Sequence, residues 1–157
     1  LSEDRNKMSS VKLVLPSKTE KIEEAAYFVE KIARALNFRS GDIDNIAIAT
    51  TEAVSNAILH GNKLDSRKKV RIEITADDEK MTICVFDEGK GFNPDEVDDP
   101  LLPENLLKER GRGIFILKKM MDHVEFSFSP SGTCVKMIKY RRTAQQEIHR
   151  DNDMQTP

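Results

Sequence analysis

The stretch EAVSNAILHGNKLD, Glu52 to Asp65, carries two patterns at once. Val54 and Ile58, with Ile43, Ala47 and Thr50 upstream, recur at helical spacing. They predict an amphipathic helix from about Asp42 to His60 that Gly61 ends. Glu52, Asn56 and His60 also recur every four residues. A step of four at about 100° per residue advances about 40° past one turn, so these side chains form a slowly winding row beside the buried stripe. A carboxylate, an amide and an imidazole in one row are either the polar border of a core helix or the rim of a pocket. The helix alone leaves both readings open.

The flanking sequence supplies the layers. VKLVLP, Val11 to Pro16, reads as a first strand that Pro16 ends. Ser17 and Glu20 match a capping box. Ile22, Ala26, Val29, Ala33 and Leu36 then give a first helix one apolar face, and Gly41 marks its end. Asn62 to Lys68 is a polar loop. VRIEITA and MTICVFD alternate around DDEK as a hairpin. Asp87 to Gly113 is rich in Gly, Pro and charge, and is too long for an idle connection. It contains a lid over about 93–110. GIFILKKMMDH reads as a helix, and VEFSFS and TCVKMIKY as a last hairpin around SPSG. This order predicts an α+β fold: a two-layer α/β sandwich with helices on one face of a mainly antiparallel sheet. The domain is expected over 11–140, after a flexible N-terminus (1–10) and before a disordered tail (141–157).

Composition narrows the function classes. A chain of 157 residues suits one core, and 38% hydrophobic with 33% charged residues is ordinary for a globular protein. The net charge of -2 comes with no long block of one sign, which argues against a dedicated nucleic-acid or membrane-surface binder. No apolar stretch is long enough to span a bilayer, and the opening LSEDRNKMSS lacks the apolar segment of a secretory signal. Cys84 and Cys134 sit in strand-like runs without metal-ligand spacing. They read as reduced core thiols of a cytoplasmic protein.

Three short motifs add chemistry. DEGKGF puts Asp87 at a strand end, followed by Gly89 and Gly91. The glycines let the backbone approach a ligand, and the carboxylate can accept a hydrogen bond from an exocyclic amine. A plain surface turn would read the same way. GRGI, Gly111 to Ile114, opens a helix, where free N–H groups and the dipole favour an anion; a hinge is the simpler alternative. Thr133 opens the last strand, where its hydroxyl serves a ligand or a turn.

In this order and spacing the motifs resemble the ATP-binding fold of the GHKL superfamily, over about Val11 to Tyr140. TEAVSNAILHGN, the short lid and GRGIFILKKMMDHVEFSFSPSGTCVKMIKY resemble one branch of it, the bacterial anti-sigma-factor serine kinases. The resemblance implies a role for each matching residue. Asn56 would ligate Mg²⁺ at the nucleotide phosphates. Asp87 would hold the adenine amine, with Thr133 nearby and Gly89 and Gly91 passing beside the base. Gly111, Arg112, Gly113 and Ile114 would wrap the phosphates. Glu52 would be the general base for a serine hydroxyl. His60 would pack or anchor the lid, and Lys108, Glu109 and Arg110 lie in that lid.

The implied function is a serine/threonine protein kinase using ATP and Mg²⁺. It would phosphorylate a STAS-type anti-anti-sigma protein and sequester a sigma factor, as a homodimer through the first strand and helix, with no direct contact to nucleic acid or membrane. Two alternatives stand beside it. One is a nucleotide-binding regulatory module without phosphotransfer. The other is the excised catalytic domain of a histidine kinase, although His60, His123 and His149 do not lie in a phospho-accepting helical hairpin.

Overall fold

Alternation in the first strand decides which side of the sheet is covered. Leu13 and Leu15 turn inward, while Lys12 and Val14 stay exposed. The computed structural model describes residues 9–90 and 109–142. Its strands are β1 (Ser9–Pro16), β2 (Lys69–Ala76), β3 (Lys80–Phe86), β4 (His123–Ser129) and β5 (Gly132–Tyr140). They form a five-stranded sheet in the order β1-β2-β3-β5-β4, with every neighbouring pair antiparallel. Helices α1 (Lys21–Ala35), α2 (Ser40–Asn56) and α3 (Glu109–Met120) lie on one face, with α2 packed between the other two. This is the expected two-layer α+β architecture.

The core lies between the layers. Ile72, Ile74, Met81, Ile83, Val85 and Met137 from the strands meet Val29, Ile46, Ala53, Val54 and Leu117 from the helices. A buried ion pair closes one side: Lys139 Nζ donates to the Met120 carbonyl at 2.8 Å and lies 3.6 Å from Asp42. No helix among the described residues is long and apolar enough to cross a membrane.

Several local expectations are corrected. Ser17 and Glu20 form no capping box: Glu20 is the N-cap residue and makes no side-chain cap bond. Ser17 is buried instead, and its hydroxyl donates to the Lys68 carbonyl at 2.9 Å. Along α1 the buried residue is Ala25 rather than Ala26. Along α2, Ile46 and Ala49 are buried where Ala47 was expected. Gly41 does not end α1, because it lies inside α2. The chain leaves α1 through Asn37 at φ 61°, a left-handed conformation that asparagine tolerates better than most side chains.

The end of α2 also departs from the pattern. Ala57–Gly61 forms a π turn, sealed by the Asn62 amide donating to the Ala57 carbonyl at 2.8 Å. The reversal then comes at Lys63 and Leu64, both at positive φ, and not at Gly61. The wider turn takes His60 out of the four-residue rhythm, so the polar row ends at Asn56. GRG does not precede a helix either: α3 already runs from Glu109. Cys84 and Cys134 are free, but they are half-buried on the sheet face away from the helices, not in the core. The expected lid falls outside the described residues, apart from Glu109 and Arg110 in α3.

Candidate active site

Glu52 and Asn56 stand one turn apart on α2, Glu52 half-buried and Asn56 buried. They face Gly113 on α3. A methyl group placed on Gly113 would sit 3.0 Å from Asn56 Nδ2, 3.2 Å from Glu52 Oε2 and 3.3 Å from Asn56 Oδ1. Glycine therefore lets α3 close onto both polar side chains, and any larger residue would push them aside. The tertiary packing thus joins two motifs that lie far apart in the sequence.

A second cluster forms at the end of β3. The Asp87 amide donates to the Thr133 carbonyl at 3.0 Å. In return, Asp87 Oδ1 accepts the Thr133 amide at 3.1 Å and the Gly89 amide at 2.9 Å. A side chain at Gly61 would collide with the Asp87 carboxylate, and one at Gly89 would collide with the Gly61 carbonyl. Gly132 has φ +150°, and a Cβ there would strike the Asp87 carbonyl. Both strain and contact require glycine at that position. Thr133 is buried, and its hydroxyl has no hydrogen-bond partner among the described residues. A buried, unpaired hydroxyl is costly unless a ligand or water completes it.

The π turn Ala57–Gly61 links Asn56 of the first cluster directly to Gly61 of the second. Of the other expected residues, Gly111 and Ile114 are buried in α3, Arg112 is exposed, and Gly91 lies outside the described residues. A cavity of about 630 Å³ touches Asp87 and Thr133 but not Glu52, Asn56 or Gly113. Its walls include Val14, Arg71, Phe86 and Cys134 of the outer sheet face, so it lies behind the Asp87 cluster.

The sequence reading missed Asn62, placing it in a polar loop. It is 1% exposed and ties three segments together. Its Nδ2 donates to Ser17 Oγ at 2.7 Å and to the Lys69 carbonyl at 3.0 Å, and its Oδ1 accepts the Glu88 amide at 2.7 Å. The Glu88 carboxylate in turn accepts the Lys69 amide. Asn62 therefore fixes where the segment after Asp87 leaves the sheet. An Asn beside the His-Gly pair was the only available signal, and its partners are distant in sequence. Asn62→Ala should lower stability by about 1–3 kcal/mol, the cost of leaving buried polar groups unmet. Urea unfolding checks this; an unchanged midpoint would deny Asn62 the role.

The chemistry of the donors suits Mg²⁺. That ion keeps several waters and takes one or two protein oxygens beside substrate phosphates. Asn56 Oδ1, beside Gly113, fits such a sparse protein contribution and leaves the Glu52 carboxylate free. No group of three or more His, Cys, Asp or Glu side chains suited to a metal occurs among the described residues.

Comparison with known proteins gives a consistent picture. The family model of the histidine kinase-like ATPase domain matches residues 15–139. Serine-protein kinase RsbW of Bacillus subtilis is 26% identical over 142 residues, covering 87% of this chain and 88% of that protein. Serine-protein kinase RsbW of Staphylococcus epidermidis is 32% identical over 111 residues, covering 66% and 69%. A crystal structure of the RsbU and RsbW domains of a Mycobacterium tuberculosis protein aligns with a TM-score of 0.64 at 16% identity. That alignment covers 87% of this chain and 34% of the other, and it shows a shared fold.

Proposed function

The chain belongs to the histidine kinase-like ATPase domain family, among its RsbW-type serine-protein kinases, and from that premise we propose that it transfers the γ-phosphoryl group of ATP to a serine or threonine of a STAS-type anti-anti-sigma protein. The observation that carries this reading is the closure of Gly113 onto Glu52 and Asn56. It brings a carboxylate and an amide to one point on a helix bearing the G-x-G motif, which supports the roles of base and metal ligand.

Each residue then has a task. Asp87 has Oδ1 committed to the Gly89 and Thr133 amides, and Oδ2 is the oxygen for the adenine amine. The buried Thr133 hydroxyl completes the base contact. Gly89 and Gly91 let the chain pass beside the base. Asn56 would hold Mg²⁺, which when bound neutralises charge on the phosphate oxygens. Gly111, Arg112, Gly113 and Ile114 border the phosphates, with the exposed Arg112 adding positive charge. Glu52 orients the attacking hydroxyl and accepts its proton as the new P–O bond forms and ADP leaves. The phosphorylated antagonist would no longer compete for a sigma factor, which this chain, as a homodimer, would then hold.

Incubation with a STAS-type antagonist, Mg²⁺ and γ-labelled ATP tests the proposal. An acid-stable label on the antagonist is expected. Nucleotide binding without label would leave a regulatory module, and an acid-labile label would point to phosphohistidine.

A further inference from the structure

The outer sheet face holds a chemistry that the kinase reading does not use. In the β3–β5 register Cys84 lies opposite Lys136, and Cys134 lies opposite Phe86. The two cysteines are therefore diagonal neighbours on one face. Both are free and half-buried. Cys134 lines the outer-face cavity of about 630 Å³, which gives a small solute a route to the pair.

The next rung beyond Phe86 and Cys134 is Asp87 and Thr133, the doubly bonded clasp of the candidate active site. We infer that Cys84 and Cys134 are a peroxide-sensitive thiol pair whose oxidation to a disulfide loosens the Asp87–Thr133 clasp and weakens nucleotide binding. The nucleotide half of this statement rests on the proposed function; the disulfide half does not.

The environment divides the labour between the thiols. The neighbouring Cys134 thiol lowers the Cys84 thiol to about 7; burial and Glu73 oppose this and Lys136 assists it. Cys134 is raised, first by Cys84 and then by burial. Arg71 on β2 and Glu125 on β4, opposite Lys136, complete the charged groups facing the pair. Cys84, directly opposite the Lys136 ammonium in the register, is the attacking thiolate and Cys134 the resolving thiol. The Cys84 sulfur attacks hydrogen peroxide, the O–O bond breaks, and a sulfenic acid and water result. The Cys134 sulfur then attacks the Cys84 sulfur, the S–S bond forms, the S–O bond breaks, and a second water leaves with the Cys134 proton.

Diagonal neighbours across antiparallel strands stand about 7–8 Å apart at Cα. A disulfide needs about 4.4–6.8 Å. Closing the bridge must draw the strand ends together, and the adjacent clasp is the part displaced.

Three measurements on the whole chain, before and after hydrogen peroxide, test the inference. The intact mass should fall by two hydrogen atoms with loss of both alkylatable thiols, and digestion should yield the Cys84 and Cys134 peptides joined. The Asp87 and Thr133 amides should lose protection in hydrogen exchange. Affinity for a fluorescent ATP analogue should fall by roughly five- to tenfold, the low end of coupling between sites. Dithiothreitol should reverse all three, and Cys84→Ser and Cys134→Ser should show none of them. Thiols that stay alkylatable, a disulfide between two copies, or a disulfide that leaves the amides and affinity unchanged would each overturn the inference. The same is true if the serine variants lose affinity as the wild type does. If the mass and amide changes occur but the reduced protein binds no nucleotide, the thiol pair stands and the proposed function falls.

Discussion

Replacing Glu52 with glutamine will slow phosphotransfer to the antagonist by about 10²–10⁴-fold, the usual worth of a positioned general base. Nucleotide affinity will stay near that of the wild type. Glutamine has nearly the shape of glutamate, so the contact with Gly113 and the packing of α3 on α2 survive. What it lacks is an oxygen that can take a proton. The half-buried setting of Glu52 keeps the substitution away from the core. Single-turnover transfer from labelled ATP gives the rate, and titration with a fluorescent nucleotide gives the affinity. A rate within a few-fold of the wild type would remove Glu52 from the chemistry and leave Asn56 as the only functional member of the row. Loss of both rate and affinity would instead mean that the glutamate holds the site together.

Asp87→Asn will weaken ATP binding by about ten- to hundredfold, equivalent to the 1.5–3 kcal/mol of a charge-assisted hydrogen bond. The amide oxygen can still accept the Gly89 and Thr133 amides, so the clasp is retained. The nitrogen that replaces Oδ2 is a donor, and it would face the donor amine of adenine. Inosine triphosphate carries an acceptor at that position, so the variant should lose its preference for ATP over ITP. Calorimetry with both nucleotides on wild type and variant reads this directly. Unchanged affinity and unchanged preference would place the base elsewhere, and the outer-face cavity beside Asp87 would be the next site to examine.

The elements themselves were legible in the sequence because they depend on local spacing. The alternation of VRIEITA and MTICVFD predicted β2 and β3, and the periodicity around Val29 and Val54 predicted α1 and α2. The failures were local competitions that neighbours in space decide. Ser17 offered a cap to α1 but was drawn to Lys68 and Asn62, where burial makes a satisfied hydroxyl worth more. Asn37 ended a helix that Gly41 was expected to end, because Phe38 is buried against the core just beyond it. His60 kept its place in a rhythm of four on paper, and the π turn broke that rhythm.

By itself the sequence determined the layer order and the family resemblance, and it proposed the residue types of the candidate site. Those are properties of short windows and of motif order, which survive without knowledge of contacts. The tertiary structure alone decided which motifs meet. Gly113 reaches Glu52 and Asn56 only because α3 packs against α2. Asp87 finds Thr133 46 residues away, and Asn62 finds Ser17 45 residues away, through strand register and a buried loop. Cys84 and Cys134 become a pair only in the β3–β5 register. Hydrogen bonds and close approaches act over a few ångströms, so partners this distant along the chain become visible only once the sheet and helices have closed.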